Sequence, residues 1–233
     1  MTRLAIAAIV ATAMILYAPS QARAGNLEDC MQAEVPNLQI NRCTAVIQSD
    51  QQTRRNLIWA LYNRGFAYHG LGEFQKAIKD YNRALRLSPN IAKLYNNRGG
   101  AFGNLGEFRK AIEDFDRALQ LDPNYVDAYY NRGEAYRGLG EIRNAIKDYD
   151  RTIKLNSNDA SAHHRRGMAY EATGDFERAV KDWETAMEIA GPSRVRRWQA
   201  YLQKAGYYSG VLDGHYNART RAGLRACAQA PAC

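Results

Sequence analysis

A 34-residue period is the feature that most constrains how this chain can fold. The segment NRGFAYHGLGEF at 63–74 recurs as NRGGAFGNLGEF at 97–108 and as NRGEAYRGLGEI at 131–142, and a more divergent copy, RRGMAYEATGDF, occupies 165–176. Apolar residues within each copy follow three- and four-residue steps, which predicts amphipathic helices. One helix pair cannot bury its apolar stripe alone, so the four units must stack on one another.

The repeated residues resemble the tetratricopeptide repeat (TPR), whose period is also 34 residues. The resemblance covers residues 58–193 and implies four helix-turn-helix units. Each unit has a small residue where its two helices approach and an aromatic residue three positions later. A glycine lies in the turn, and the second helix carries an alanine and a core aromatic residue. In the first unit these are Gly65, Tyr68, Gly72, Ala77 and Tyr81. One departure recurs: Arg64, Arg98, Arg132 and Arg166 stand where the family usually has leucine.

The first 24 residues have the pattern of an export signal. A short basic start precedes an apolar run from Leu4 to Ala18, and small residues flank Arg23 before Gly25. The run is shorter than the ~20 residues that a membrane-spanning helix needs. We therefore predict a signal peptide at 1–24 and a mature protein that is periplasmic or secreted and has no membrane span.

Four cysteines lie in two close pairs at opposite ends of the chain: Cys30 with Cys43, and Cys227 with Cys233. Four cysteines allow three pairings, of which the local one asks least of the geometry. An oxidising compartment favours disulfides. A zinc site is the alternative, but the chain has no CxxC motif and no histidine near either pair. Residues 25–57, with Ile40, Cys43, Val46 and Ile47 as an apolar stripe, are predicted to form a capping half-repeat.

The C-terminal 194–233 resembles the PGBD-like peptidoglycan-binding domain over about 40 residues. Residues matching its three segments are Val195, Gln199 and Leu202; Gly206, Tyr207, Tyr208, Gly210, Leu212, Asp213 and Gly214; and Tyr216, Thr220 and Leu224. The predicted fold class is therefore all-α, a TPR α-solenoid followed by a small helical PGBD-like domain. If the resemblance carries function, Tyr207, Tyr208, Asp213 and Tyr216 would meet a glycan or stem peptide; the alternative is that they form the domain's own core.

Local chemistry gives three expectations for this C-terminal segment. Thr220 is predicted to cap the final helix. Asn217, where the family prefers glycine, is expected in a left-handed turn, which asparagine tolerates. Gly223 replaces the usual alanine and should weaken the final helix by up to about 1 kcal/mol. Helix 194–204 begins where a fifth repeat would, so it is also expected to cap the stack.

In TPR stacks the first helices line a concave groove, and the resemblance implies a ladder of asparagine amides that hold an extended peptide backbone. The alternative is that these amides bond within the stack. The predicted peptide-binding residues are Asn63, Asn97, Asn131, Arg165, Tyr62, Tyr130 and Arg137, with Trp59, Phe66 and Met168 on the same face. Gly100 and Gly103 leave the second unit open on this face.

Nothing in the sequence indicates an enzyme, a metal or a cofactor. The four histidines lie in no HExxH motif, and neither a GxSxG nor a phosphate-loop motif occurs. For a protein inside a cell, the net charge of +8 would suggest a nucleic-acid partner. Because we predict export, we expect a protein or peptide partner and peptidoglycan instead. The expected function is an exported adaptor. The alternatives are a TPR scaffold whose C-terminal domain is only a structural cap, and an accessory of a cell-wall hydrolase.

Overall fold

The computed structural model describes residues 27–32, 35–50 and 52–230, and every regular element in these ranges is an α-helix. The helices are α1 Leu27–Met31, α2 Pro36–Gln48, α3 Arg54–Gly70, α4 Phe74–Leu87, α5 Ala92–Asn104, α6 Phe108–Leu121, α7 Val126–Gly138, α8 Ile142–Leu155, α9 Ala160–Ala172, α10 Phe176–Ala190, α11 Pro192–Lys204 and α12 Ala218–Ala228. From α3 to α10 they form one helix pair per repeat, which confirms the predicted solenoid. None of the helices in these ranges is long and apolar enough to span a membrane.

Each helix pair turns at a glycine whose backbone is left-handed. The φ angle is +76° at Gly72 and Gly106, +75° at Gly140 and +78° at Gly174. A side chain would be strained in this region because its Cβ approaches the following carbonyl oxygen. The predicted glycine turns are therefore confirmed in all four units.

A second glycine in each unit lets the two helices touch. A Cβ on Gly65 would lie 2.8 Å from the ring of Tyr81, and a Cβ on Gly133 would lie 2.7 Å from the ring of Tyr149. Both tyrosines are fully buried. The small residue and the core aromatic predicted from the sequence are thus two halves of one contact.

The recurring arginine, which departs from the family pattern, joins neighbouring units. Arg132 donates from Nε and Nη2 to the two carboxylate oxygens of Asp148 on its own second helix, both at 2.7 Å. Its Nη1 donates to Asp116, on the second helix of the preceding unit, at 2.5 Å. The same bonds recur around Arg98, with Asp114 and Asn82, and around Arg166, with Asp182 and Asp150.

The aspartate that receives two of these bonds is buried in every unit. A buried carboxylate is tolerated only when it is paired and fully hydrogen-bonded, and a bidentate guanidinium meets both needs. The hydrogen bond with Asp114 raises the pKa of Arg98, against the lowering effect of burial. The arginine and aspartate therefore form one ion pair with the same geometry in each unit, here called the Arg–Asp bridge.

The N-terminal helices α1 and α2 cover the first repeat as predicted. Cys30 of α1 and Cys43 of α2 form a disulfide, and both are fully buried. Val46 and Ile47 of α2 join a core cluster with Leu61 of α3. The first cysteine pairing is confirmed, and the role of residues 25–57 as a capping half-repeat stays a prediction with which these contacts agree.

The C-terminal segment packs on the fourth repeat and shares its core. Trp183 and Met187 of α10 lie in one cluster with Val195 and Leu202 of α11 and Leu224 of α12. This contact agrees with the expectation that helix α11 caps the stack. Cys227 is also buried there. Cys233 and the signal segment 1–24 lie outside the described residues, so the second disulfide and the export signal remain predictions.

Two expectations for helix α12 are wrong. Its N-cap is Asn217, not Thr220: the Asn217 side chain accepts hydrogen bonds from the backbone N–H groups of Arg219 and Thr220, each at 3.0 Å. Asn217 has φ −125°, an extended rather than a left-handed backbone. Thr220 is fully buried inside the helix because it faces the core of the module.

The expectation that Gly223 is merely a weak helix residue is also incomplete. A Cβ at Gly223 would lie 2.4 Å from the carbonyl oxygen of Tyr207, a backbone atom that cannot move aside on its own. The glycine therefore lets α12 approach the loop that follows α11.

We predict that Arg132→Leu, which restores the usual family residue, destabilises the protein by about 3 kcal/mol because it leaves the Asp148 carboxylate buried without its partner. Urea unfolding followed by circular dichroism measures the change. The double variant Arg132→Leu/Asp148→Ala should recover most of the loss. Equal stabilities for the single variant and the unmodified protein would contradict a role for the bridge.

We predict that Gly223→Ala lowers the free energy of unfolding by about 1–3 kcal/mol through overpacking, although alanine is the better helix former. Ala222→Gly on the same helix, at an exposed position, is the control and should cost only the propensity difference. Stabilisation by Gly223→Ala would show that the close contact with Tyr207 does not limit this helix.

Candidate functional site

The first helices of the repeats form the inner side of the solenoid. Helix α3 contacts α5, and α5 contacts α7, in addition to the contacts that each makes with second helices. Side chains that point away from the second helices therefore share one continuous surface, here called the inner face. All seven residues predicted to bind a peptide lie on α3, α5, α7 and α9.

The predicted asparagines are linked by a chain of hydrogen bonds across three units. Asn97 donates to the hydroxyl of Tyr62 at 3.2 Å, Asn96 donates to the Asn97 side-chain oxygen at 3.2 Å, and Asn131 donates to the Asn96 oxygen at 3.1 Å. Asn63 stands apart and donates to the carbonyl of Trp59 at 2.7 Å. Asn97 and Asn131 are half-buried, whereas Asn96 is buried, so of these three a ligand on the inner face could reach only the first two.

Asn96, which links the other two, was not identified from the sequence. The signal for it was the doubled asparagine in the second unit, at 96 and 97, where the other units have a tyrosine or a histidine before the repeated position.

Glu134 is a second residue that the sequence analysis did not identify. Its carboxylate contacts two arginines of the inner face. It accepts a hydrogen bond from Tyr149 at 2.5 Å and one from Arg137 at 3.1 Å. The Nε of Arg165 lies 3.4 Å from the same carboxylate. Arg137 and Arg165 are thereby brought together on one anion, and the three groups carry a net charge of +1.

Aromatic residues occupy the inner face at the first unit. Tyr62 is almost buried and stacks with Phe66 at 6.5 Å between ring centroids, while Trp59 meets Tyr62 edge-on at 5.5 Å. The Nζ of Lys93 lies 4.9 Å from the Tyr62 ring centroid. Phe66 is 55% exposed, unusual for a phenylalanine, so it presents apolar surface to the groove. Tyr130, in the third unit, packs on Tyr149 and is half-buried.

The far end of the inner face is aromatic and basic. Trp198 of α11 contacts His164 of α9 at 5.7 Å and Tyr201 at 5.7 Å between ring centroids. Arg194 and Arg197 line the same opening. Burial lowers the pKa of His164, and the nearby charges of Arg165 and Arg194 lower it further.

The residues predicted to meet peptidoglycan are brought together, but around a buried glutamine. Gln199, fully buried, donates to Tyr208 at 3.3 Å and to Asp213 at 2.8 Å, and its oxygen accepts from the Gly214 N–H at 2.9 Å. The bond from Gln199 lowers the pKa of Asp213. Tyr208 is buried, whereas Tyr207 and Tyr216 are half-buried.

The described residues hold no cluster of three or more histidine, cysteine or acidic side chains suited to a metal ion. His163 has a structural partner: its Nδ1 lies 3.1 Å from Asp182, the carboxylate that also binds Arg166. This histidine therefore belongs to the Arg–Asp bridge of the fourth unit.

Helix pairs at a 34-residue period, each closed by a glycine turn, define a repeat scaffold with an open inner face. Family models for the tetratricopeptide repeat match residues 58–91, 126–159 and 160–192, and a TPR repeat model matches 104–140. Together these matches cover more than half of the sequence. The chain therefore belongs to the tetratricopeptide repeat family.

Solved structures agree with this assignment. A crystal structure of MamA is 29% identical, with a TM-score of 0.60, and the match covers 66% of this chain and 88% of that chain. MamA 41-end from Desulfovibrio magneticus RS-1 is 20% identical at a TM-score of 0.63, over 70% of this chain and 90% of that one, and supports the fold alone.

The first TPR of Spaghetti (RPAP3), solved with the HSP90 peptide SRMEEVD, is 27% identical at a TM-score of 0.51, over 54% of this chain and 99% of that one. No curated protein sequence matches the chain.

We predict that Arg194→Gln raises the pKa of His164, because the change removes one of the two positive charges that disfavour the imidazolium. The imidazole Cε1–H signal, followed by NMR between pH 4 and 8, measures it. Since the pKa of His164 in the folded protein lies below its unfolded value, stability is lost as the pH falls through the unfolded pKa of about 6.5, and Arg194→Gln should reduce this loss.

Arg196→Gln makes the same change of charge at an exposed position of α11 and is the matched control. Equal shifts of the His164 pKa in the two variants would contradict a specific effect of Arg194.

Proposed function

We propose that this TPR protein is an exported adaptor that binds a segment of a partner protein along its inner face. The observation that carries the proposal is the row of side chains on successive first helices: exposed Phe66, the asparagine chain and the Glu134 cluster with its two arginines. A related TPR domain is solved with a bound peptide, which supports the same use here.

The asparagines alone would not provide enough affinity. Each amide bond contributes roughly 0.5–1.5 kcal/mol, so three contribute at most about 4.5, whereas micromolar binding requires about 8. The remainder has to come from apolar contacts. Phe66 and the other aromatic residues of the inner face are the proposed source.

Export to the periplasm or beyond is part of the proposal. It rests on the signal-like sequence of 1–24 and on the disulfide between Cys30 and Cys43, because disulfides persist in oxidising compartments. TPR proteins are generally scaffolds without catalytic activity, and we propose no catalytic role.

We further propose that the C-terminal segment docks to peptidoglycan, on the strength of its resemblance to the PGBD-like domain. The competing function is a structural cap on a periplasmic scaffold. It is favoured by one specific observation, the single core that α11 and α12 share with Trp183 and Met187 of the fourth repeat. A role as accessory of a cell-wall hydrolase is the third alternative.

Photocrosslinking tests the inner face directly. Benzoylphenylalanine in place of Phe66 should crosslink a partner in cells of the organism that makes this protein. The same residue in place of Lys79, which is exposed on the second helix α4, should not crosslink it. Equal crosslinking from both positions, or none from either with the protein folded, would contradict the proposed binding face.

Sedimentation with purified peptidoglycan tests the wall-binding role. Truncation after Pro192 is an unsuitable control because it exposes Trp183 and Met187. Val211, 77% exposed in the loop between α11 and α12, offers a milder change. The full chain should sediment with the wall and Val211→Glu should do so less. If the folded full chain stays in solution, wall docking is contradicted and the structural cap is the remaining role of this segment. An increase in the labelled wall fragments that an added hydrolase releases, over the hydrolase alone, would instead indicate the accessory role.

A further inference from the structure

A cavity opens on the inner face between the second and third repeats. Its volume is about 350 Å³. Among its lining residues are Gly100 and Gly103 of α5, Phe108 and Phe115 of α6, and Asn131 and Arg137 of α7.

The two glycines of α5 create this space, and packing does not require them. A Cβ on Gly100 would lie no closer than 3.8 Å to another residue, and one on Gly103 no closer than 4.0 Å, both ordinary contacts. Neither glycine has a positive φ. Gly99, beside them, is the opposite case, because its Cβ would lie 2.8 Å from the Phe115 ring.

The other repeats carry large side chains at the two equivalent positions. They have Phe66, Glu134 and Met168 in place of Gly100, and His69, Arg137 and Glu171 in place of Gly103. Glycine in a helix is less stable than alanine because it loses more conformational entropy on folding. Both glycines therefore oppose the stability of α5, and what they add to the structure is the opening of the cavity.

The chemistry of the walls indicates what the cavity accepts. The half-buried Phe108 supplies apolar surface, and the Glu134 carboxylate is already engaged by Tyr149 and Arg137. A basic side chain would therefore lose its hydration without finding a free carboxylate, and an acidic one would lose its hydration beside the Phe108 ring and meet only an arginine that Glu134 already holds. The space is large enough for one bulky apolar side chain, and the amide of Asn131 stands beside it to meet a peptide backbone.

We propose that this cavity receives a leucine-sized or aromatic side chain of an extended peptide segment, whose backbone lies against the amide of Asn131. This inference rests on the proposed peptide-binding function and adds the identity of the anchor residue. It also explains why the second repeat alone has glycine at both positions.

The first experiment compares the thermal unfolding midpoints of four single variants. Gly100→Ala and Gly103→Ala should raise the midpoint, as should Gly70→Ala, the control at the end of α3, where a Cβ would meet nothing within 4 Å. Gly99→Ala should lower it. A lower midpoint for Gly100→Ala and Gly103→Ala would show that packing requires these glycines and would overturn the proposal.

The second experiment measures binding with blocked tripeptides, acetyl-Ala-X-Ala-amide, in which X is leucine, phenylalanine, glycine or aspartate. At millimolar concentrations the leucine and phenylalanine peptides should shift the backbone amide NMR signals of Gly100, Gly103 and Gly138, and the other two should not. Gly103→Leu should abolish the shifts and Gly70→Ala should preserve them. Equal shifts from all four peptides, or none, would overturn the proposal.

The two proposals fail separately. Crosslinking from position 66 combined with no selective tripeptide shift would leave the binding face intact and remove the anchor cavity. Selective shifts that persist in Gly103→Leu would also exclude the cavity as the site of binding. Loss of crosslinking from position 66 in Gly103→Leu, with Gly70→Ala unaffected, would connect the cavity to the natural partner.

Discussion

The Arg–Asp bridge is the interaction on which the rest of this structure depends. In each repeat, a guanidinium donates hydrogen bonds to a buried aspartate on the second helix of the same repeat and to a polar residue of the preceding unit. An apolar contact at the same place would allow sliding, because the hydrophobic effect is not directional. A bidentate guanidinium accepts one geometry only. The first bridge continues into the N-terminal cap, where Arg64 donates to Thr44 at 3.0 Å.

Such regular stacking has a consequence for function. Because the bridges, turn glycines and helix-contact glycines repeat with the same geometry, the first helices present equivalent positions in equivalent places. The units then differ only in what those positions carry: phenylalanine in the first, glycines in the second, a glutamate with arginines in the third. Recognition of a partner would depend on these differences. The groove is aromatic at the first repeat and basic at its other end, where Arg194 and Arg197 lie.

The C-terminal segment shows how one arrangement can serve two roles. Gln199 at the centre uses both its amide groups inside the protein, holding the loop after α11 against α12. Tyr208 and Asp213 support this loop from within. A ligand for this module would therefore meet the outer side of the loop, where Val211 is exposed, and the half-buried Tyr207 and Tyr216. Capping the last repeat leaves that outer side open.

Much of the fold could be predicted from residues that recur. A glycine every 34 residues has one explanation at the turn and another at the helix contact, and both are confirmed at Gly72 and Gly65. The apolar stripe of α2 and the pairing of Cys30 with Cys43 were equally accessible, since they involve neighbours in sequence. The expectation for Thr220 was wrong because Asn217, three residues earlier, supplies the cap, and only packing decides that Thr220 faces the core.

The sequence by itself determined the period and the helix pairs, because both follow from local spacing. The tertiary structure alone decided the partners of individual side chains. Arg132 was visible only as a departure from the family until Asp148 and Asp116 came within reach of it, and Glu134 drew no attention until Tyr149, Arg137 and Arg165 converged on it. Such contacts join residues from different helices, and their geometry exists only once the units are stacked.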